Sequence, residues 1–222
     1  MKKWLAMLLA LILVFSTGLT ALATESEEDT DKQPLPFTDV GETDWFFGDV
    51  DYVFQNGLMQ GISTDKFNSN HPITRAMVVT VLYRTEGSPD VSDLDDGDPF
   101  VDLADGAYYA DAVIWAVENG IVLGYEDGTF RPEAFTTREQ LAVILHRYEL
   151  FTEEIPPEIL PDGKYNDQSE ISAYARAAVS TLTRQGLLAG KPTGEFDPRL
   201  VATRAEFAAI LRRYRENLQS ES

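Results

Sequence analysis

The sequence contains no cysteine, so packing alone must hold the fold together, without disulfides. Histidine is almost as scarce: His71 and His146 occupy unrelated positions, and His146 is predicted to lie at an exposed helix position. The chain also lacks a nucleophile–base pattern, a phosphate-binding glycine loop and the ligand spacing of a zinc site. These absences predict a protein that is not an enzyme and that carries no cofactor and no metal.

Positive charge is also scarce. The chain has 18 Lys and Arg against 37 Asp and Glu, which gives a formal net charge of −19. Such a surface repels nucleic acid and anionic membranes at long range, so we expect neither as a partner. An anionic ligand has to bind through a few locally placed cations, which makes the positions of the arginines informative.

The apolar run at the N-terminus follows Lys2 and Lys3 and ends at Ala21-Leu22-Ala23, a small-x-small cleavage pattern. Residues 1–23 are therefore predicted to be a secretory signal peptide, which predicts a secreted protein with no membrane contact after cleavage. The alternative is an uncleaved membrane anchor, because the run is just long enough to span a bilayer. Residues 24–36 are acidic and are predicted to form a flexible lead.

Three stretches of the chain, residues 37–85, 100–149 and 165–215, repeat one pattern and are called copies one, two and three. In each, an aromatic residue precedes a glycine by 12 positions, a second glycine follows after 4, a phenylalanine after 6 and an arginine after 8. The aromatics are Trp45, Tyr108 and Tyr174, the first glycines Gly57, Gly120 and Gly186, the second glycines Gly61, Gly124 and Gly190, the phenylalanines Phe67, Phe130 and Phe196, and the arginines Arg75, Arg138 and Arg204. Three copies that keep four spacings indicate an internal repeat.

Each copy is predicted to form a helix, a loop and a second helix. In copy two, an apolar stripe at helical spacing runs from Ala112 to Val117 and is ended by Asn119 and Gly120. One pair of helices cannot bury the stripes of both, whereas three pairs that meet at their second helices can. The sequence therefore predicts a mainly α fold in one composite domain, with polar linkers at 86–99 and 150–164 and the repeated phenylalanines as core residues.

The start of each second helix carries a Thr-Arg pair. The threonines, Thr74, Thr137 and Thr203, are predicted N-caps, and copies two and three complete a capping box with Gln140 and Glu206. Each arginine falls at the first helical position, where its charge opposes the helix dipole at a cost of roughly 0.3–1 kcal/mol. This predicts a compensating partner, which is either an internal carboxylate or an external anion held by the guanidinium and the free N–H groups of the same turn.

Two further features have a packing interpretation beside a functional one. The aromatics Trp45, Tyr108 and Tyr174 open the first helices, where a ring usually joins the core, although a ring at a groove edge can cover the apolar face of a sugar. The segment from Gly124 to Phe130 is a turn signal with Asp127 and Gly128 at its tip.

These motifs resemble the S-layer homology (SLH) repeat, whose pattern runs F-x-D-V, W, G-[IL]-[IVL]-x-G, D-G-T-F-x-P and T-R-A-E-F. The matching segments are Phe37-Thr38-Asp39-Val40 with Trp45, Gly120-Ile121-Val122-Leu123-Gly124, Asp127-Gly128-Thr129-Phe130-Arg131-Pro132 and Thr203-Arg204-Ala205-Glu206-Phe207. The resemblance covers nearly everything after the signal and the acidic lead. Copy one departs from the pattern with Met77 in place of Glu. We therefore do not expect the three copies to contribute equally to ligand binding.

The resemblance implies a pseudo-threefold unit around a central three-helix bundle, secreted to the cell wall or surface layer. It implies that grooves between copies anchor the protein non-covalently by binding secondary cell-wall polysaccharide, which often carries a pyruvyl ketal. Arg75, Arg138 and Arg204 are implied to meet that carboxylate. From their position at the helix start, we expect them to contribute little to folding, within roughly 1 kcal/mol on replacement by Ala. Trp45, Tyr108 and Tyr174 are implied to wall the grooves, and Asp127 and Gly128 are further candidate glycan contacts.

Two other functions fit the same sequence. One is a structural surface-layer protein that acts through protein–protein association, including self-association. The other is a wall tether retained in the membrane by residues 1–23.

Overall fold

The computed structural model describes residues 33–92, 94, 100–104, 106–161 and 163–219. The predicted signal peptide lies outside the described residues, as does most of the acidic lead. The described residues from Gln33 onward form one compact unit, as the predicted composite domain requires. Within the described ranges, no helix is both long and apolar enough to cross a membrane.

Six α-helices and one short 3₁₀ helix make up the regular structure of the described residues, which confirms the mainly α prediction. The first helices of the three copies are α1 (Phe47–Gln55), α3 (Ala110–Glu118) and α5 (Arg176–Arg184), and the second helices are α2 (Arg75–Thr85), α4 (Arg138–Thr152) and α6 (Arg204–Gln219). The 3₁₀ helix covers Gln168–Glu170. The second helices carry the larger share of buried side chains.

The first glycine of each copy ends the first helix. Gly57, Gly120 and Gly186 have φ values of 68°, 67° and 73°, a left-handed conformation that glycine adopts without steric cost. In copies one and two the preceding asparagine returns its side-chain amide to the helix, from Asn56 to the Tyr52 carbonyl and from Asn119 to the Trp115 carbonyl, both at 2.8 Å. The predicted stop signal is therefore confirmed.

The second glycine of each copy leaves room for an aromatic ring that opens the copy. A Cβ on Gly124 would lie 2.0 Å from the Phe100 ring, and one on Gly61 would lie 2.5 Å from the Phe37 ring. The same rings pack on the repeated phenylalanines, with centroids 5.4 Å apart for Phe37 and Phe67. The three repeated phenylalanines are fully buried, which confirms their prediction as core residues.

An aspartate near the start of each copy fixes the loop before the second helix. Asp39 accepts hydrogen bonds from the Phe67 and Asn68 backbone N–H groups, both at 2.9 Å. Asp102 and Asp167 bind the equivalent N–H pairs in copies two and three. Burial opposes ionisation of Asp39 and Asp167, but the two N–H groups outweigh it and lower the pKa of both carboxyls.

The main helix packing joins different copies. Helix α2 packs on α3, α4 packs on α5, and α6 packs back on α1. Isolated bridges follow the same order, at Thr74–Phe135, Thr137–Val201 and Pro72–Thr203. The contacts therefore run from copy one to two, two to three and three to one; the symmetry of this ring stays a prediction.

Candidate functional site

The N-terminal turns of α2, α4 and α6 are closed by hydrogen bonds from the protein itself. Each capping threonine accepts the N–H of the residue three positions on, and the capping boxes predicted in copies two and three are present. The next copy supplies carbonyls for the two preceding N–H groups; Arg204 donates to His71 and Ala205 to Ser69, at 3.0 and 2.9 Å.

The same pairing occurs in copies one and two, with Ala134 and Pro132 and with Leu200 and Pro198 as acceptors. The prediction that free N–H groups of this turn bind an external anion is therefore wrong. Those groups already hold the adjacent copy in place, so an anion at these corners has to be bound by side chains.

The three arginines reach into the loop of the next copy. The Nε of each donates to the carbonyl of the repeated phenylalanine, from Arg75 to Phe130 (2.8 Å), from Arg138 to Phe196 (2.7 Å) and from Arg204 to Phe67 (2.9 Å). The Nη2 donates to the carbonyl before the second glycine, at Leu123 (3.2 Å), Ala189 (2.9 Å) and Gln60 (2.6 Å). Each guanidinium also lies over the same phenylalanine ring.

These contacts answer the question of what compensates the arginine at the helix start. The common partners are two backbone carbonyls and a ring face, which neither sequence interpretation included. Among the described residues, Arg138 alone of the three also has a carboxylate partner, since its Nη1 lies 2.8 Å from Glu206 Oε1. All three residues are buried, and burial lowers the pKa of Arg75 and Arg204.

Three surface grooves lie beside these arginines and are named after them. The Arg138, Arg204 and Arg75 grooves have cavity volumes of about 480, 420 and 310 Å³. Each is lined by residues of all three copies: an arginine from one copy, the loop and second helix of the next, and an aromatic from the third. The aromatics are Trp45 in the Arg138 groove, Tyr108 in the Arg204 groove and Tyr174 in the Arg75 groove.

The aromatics at the groove edges are exposed, so the prediction of core packing is wrong for them. The exposed fractions of Trp45, Tyr108 and Tyr174 are 63%, 62% and 59%. The residue after each one, Phe46, Tyr109 or Ala175, is buried instead. The Tyr174 hydroxyl donates to Glu139, and partial burial together with that carboxylate raises the Tyr174 pKa to about 12.

The structure does not bring Asp127 and Gly128 to a groove. Asp127 is held within its own turn, by the Thr129 hydroxyl at 2.6 Å and by the Arg131 guanidinium at 2.8 Å. Gly128 has a φ of 75° and its carbonyl accepts the Val101 N–H at 3.0 Å. Both residues serve the turn, and the lining of the Arg75 groove stops at Tyr125 on this loop.

A second arginine lines each groove and was missed by the sequence analysis. Arg213 lines the Arg138 groove, Arg84 the Arg204 groove and Arg147 the Arg75 groove. A signal was available, because each of them follows the Thr-Arg arginine by nine positions. No carboxylate lines the Arg204 and Arg75 grooves among the described residues, although the whole chain carries a net charge of −19.

A buried polar cluster lies apart from the grooves, where α4 packs on α5. Glu149 has its carboxylate 3.5 Å from His146 Nδ1 and 3.4 Å from the Gln185 amide nitrogen. Burial raises the pKa of Glu149 to about 7 and lowers that of His146. His146 is therefore not the solvated histidine that the sequence predicted. Within the described ranges, no cluster of three or more His, Asp or Glu side chains could hold a metal ion.

The model of the S-layer homology domain family matches this chain at residues 36–76, 99–142 and 164–208. An endoglucanase of a Bacillus species (strain KSM-635) is 32% identical over 213 residues, which are 95% of this chain and 22% of the endoglucanase. The surface-layer 125 kDa protein of Lysinibacillus sphaericus is 27% identical over 177 residues, 77% of this chain and 14% of that protein.

The cellulosome-anchoring protein of Acetivibrio thermocellus is 35% identical over 95 residues, 43% of this chain and 21% of that protein. The chain thus spans at most 22% of the length of these relatives. What the relatives share with it is a small part of their own length, which contains the repeated motifs.

Proposed function

The chain belongs to the S-layer homology domain family, and we propose that it anchors non-covalently to the cell wall by binding an acidic secondary cell-wall polysaccharide in its three grooves. The observation that carries this proposal is the composition of the grooves. Each joins two arginines to an exposed aromatic ring, on a chain whose net charge is −19. A cationic groove on an acidic surface concentrates binding of an anion at that place.

The groove chemistry suits a charged sugar. An exposed ring covers the apolar face of a pyranose, while guanidinium groups donate charge-assisted hydrogen bonds to a carboxylate such as that of a pyruvyl ketal. The two arginines have different tasks. Arg75, Arg138 and Arg204 position the loop that forms the groove floor, whereas Arg84, Arg147 and Arg213 stand nearer the solvent and meet the ligand first.

Relatives named as surface-layer and cellulosome-anchoring proteins support a location at the cell surface and an anchoring role without catalysis. The match to an endoglucanase does not argue for hydrolysis by this chain, since it covers 22% of that enzyme. Within the described residues, the grooves offer no carboxylate pair of the kind that cleaves glycosidic bonds.

A sedimentation assay on purified cell walls tests the proposal. We expect the protein to bind native walls and to lose binding after the non-peptidoglycan polymers are stripped from them. Equal binding to stripped walls would contradict a polysaccharide ligand. Retention of the protein only as large self-assembled particles, detected by light scattering, would favour the surface-layer association instead.

A variant with Ala at Trp45, Tyr108 and Tyr174 tests the grooves themselves. We expect at least a tenfold loss of wall affinity, because each ring contributes on the order of 1 kcal/mol to a sugar contact. The matched control replaces three exposed apolar residues outside the grooves, Val101, Leu150 and Ile155. Equal wall binding by the two triple variants would contradict the proposal that the grooves bind the wall polysaccharide.

A further inference from the structure

We infer that Glu139 is a positioning residue for the Arg75 groove, because it fixes the Tyr174 ring as a wall that is already in place when an acidic sugar binds. This role rests on the proposed function, and all three grooves keep the same ligand class. Glu139 does not itself line the groove, so it acts through Tyr174.

The Glu139 carboxylate holds the segment that carries Tyr174. Its Oε1 accepts hydrogen bonds from the Tyr174 hydroxyl at 3.1 Å and from the Ser172 hydroxyl at 2.9 Å, and its Oε2 accepts one from the Ser172 backbone N–H at 2.9 Å. The Glu139 backbone N–H donates to the Pro198 carbonyl at 3.0 Å. Glu139 is only 5% exposed, so water competes little for these bonds. Both its backbone and its side chain are therefore fixed to copy three.

The tether leaves the Tyr174 ring available to a ligand. Tyr174 lines the groove and is 59% exposed, although its hydroxyl is bound. A sugar can stack on this ring without first ordering it, whereas ordering a free side chain on binding lowers affinity about twofold to tenfold. Because the hydroxyl donates to Glu139, it cannot also donate to the ligand, and the ring contributes through its face.

The other two copies lack this carboxylate tether. Ala76 and Ala205 occupy the positions equivalent to Glu139, and an alanine side chain has no hydrogen-bond acceptor. The Tyr108 hydroxyl interacts with the neutral Thr74 side chain instead. A charged partner makes a stronger hydrogen bond than a neutral one, so Tyr174 is held more firmly than Tyr108.

A second ring of the Arg75 groove is also held by charged groups. Tyr125 lines this groove, with the guanidinium carbons of Arg131 and Arg75 at 3.9 and 5.0 Å from its ring centroid. Its counterparts in the other two grooves are Ile62 and Lys191. Two aromatic residues with charged neighbours therefore set the Arg75 groove apart, and the Glu139 tether is one part of that preformed wall.

Charge and positioning predict opposite effects of removing the Glu139 carboxylate. A negative charge near an anionic ligand opposes binding, so removal of the charge alone would strengthen binding of an acidic sugar. Loss of the tether weakens binding, because the Tyr174 ring then has to be ordered by the ligand. Glu139 lies in the first turn of α4, where the helix dipole and its three hydrogen bonds compensate its charge. We therefore expect the loss of positioning to dominate.

NMR can follow the three grooves separately in one titration. The second glycines Gly61, Gly124 and Gly190 line the Arg204, Arg75 and Arg138 grooves, so their backbone ¹⁵N–¹H signals report binding in each. The probe is a methyl hexopyranoside with a 4,6-O-pyruvyl ketal. In Glu139→Ala we expect the dissociation constant at Gly124 to rise about fivefold, with no change at Gly61 and Gly190. The variant is expected to fold, because Ala occupies both equivalent positions.

Tyr174→Phe removes the tethered hydroxyl and keeps the ring. We expect the same loss of affinity at Gly124 and no further loss in the double variant with Glu139→Ala, because both changes break one hydrogen bond. Additive losses would mean that the hydroxyl contacts the ligand directly and would overturn the inference. Glu126→Ala is the control, since it removes the same charge from the exposed loop beside Tyr125, and it is expected to cause no loss of affinity.

Two further results would contradict the role of Glu139. One is an unchanged or higher affinity at Gly124 in Glu139→Ala, and the other is an unchanged affinity there in Tyr174→Phe. Either result, with the probe still bound in the grooves, would leave the proposed function intact. A probe that shifts none of the three glycine signals would instead contradict the proposed function, because no groove would then bind an acidic sugar.

Discussion

The two ends of the second helices differ: at their N-termini α2, α4 and α6 make the same contacts three times, whereas at their C-termini each makes a different set. At the N-termini an arginine, a capping threonine and two backbone N–H groups bind the next copy in every case. At the C-termini the Tyr148 hydroxyl donates to Glu86, the Tyr214 hydroxyl donates to the Glu154 carbonyl at 2.9 Å, and Glu149 is buried with Gln185.

This difference indicates which end carries the common function. The repeated end forms the contacts that recur between all copies and holds the loop of each groove, so a change there alters folding and binding together. The irregular end packs differently in each copy, although the second arginine of each groove, such as Arg84 in the last turn of α2, lies at this end.

Replacing one repeated phenylalanine by Ala is expected to cause the largest loss of stability at the repeated end. We expect Phe67→Ala, Phe130→Ala and Phe196→Ala each to lower the free energy of unfolding by about 3–5 kcal/mol, because each ring is fully buried. Urea denaturation measures the three values. Equal costs, within about 1 kcal/mol, would agree with three equivalent environments, whereas the half-exposed Phe135 is expected to cost far less on replacement.

The Glu149→Gln variant tests how the irregular end contributes to the pH dependence of stability. Because the Glu149 pKa in the folded protein, about 7, lies above its ordinary value of 4.5, unfolding releases a proton between these pH values and wild-type stability falls as pH rises through them. The variant lacks this loss, so its stability relative to wild type is expected to rise from pH 4 to pH 8 by on the order of 3 kcal/mol.

Thermal melts across this pH range check the expectation. The exposed Glu118→Gln variant is the control, and it is expected to show no such rise. A constant difference between Glu149→Gln and wild type at all pH values would show that Glu149 ionises normally. That result would mean that the contact between α4 and α5 does not make the stability of the protein depend on pH.

The buried arginines come third. We expect Arg75→Ala and Arg204→Ala to destabilise the fold by about 2–3 kcal/mol, since each strands two loop carbonyls, and Lys to restore only part of this. This replaces the sequence-based expectation of a change within roughly 1 kcal/mol. Chemical denaturation measures this loss of stability, with the exposed Arg199→Ala variant as the control. A cost equal to that of the control would indicate that the buried arginines do not stabilise the fold and serve only ligand binding.

The exposed rings give the smallest effect on stability. Trp45→Ala is expected to change the free energy of unfolding by no more than about 0.5 kcal/mol, because the side chain is 63% exposed. Circular dichroism melts measure this. A loss of more than about 2 kcal/mol would mean that the groove edge is part of the core after all.

Much of this fold was predictable from the sequence. The spacing of the glycines, phenylalanines and arginines fixed the helix ends, the buried Phe130 and the capping threonine Thr137, because these depend on local backbone geometry. The partner of each helix was not predictable from periodicity, since an apolar stripe does not say whether the same copy or the next one covers it. The carbonyl acceptors of Arg138 were equally hidden, because every residue carries a carbonyl and the sequence gives no sign of which are left unpaired.

The candidate site was predictable only in part from the sequence. The arginines and the aromatics were found as groups, and the structure brings them together in three grooves, with Trp45 beside Arg138, for example. Asp127 and Gly128 belong to a motif that serves a turn, so the resemblance does not make them groove residues. Arg147 and its equivalents were overlooked, although their nine-residue spacing was readable in the sequence.

The central claim is that cations in the grooves, and not the overall surface, hold an acidic wall polysaccharide. The most direct test measures wall affinity of a variant with Ala at Arg84, Arg147 and Arg213, which line the grooves. Its control removes three cations outside the grooves, Lys164, Arg199 and Arg215, and so has the same net charge. We predict at least a tenfold loss of affinity for the groove variant and little change for the control; equal affinities for the two would contradict the claim.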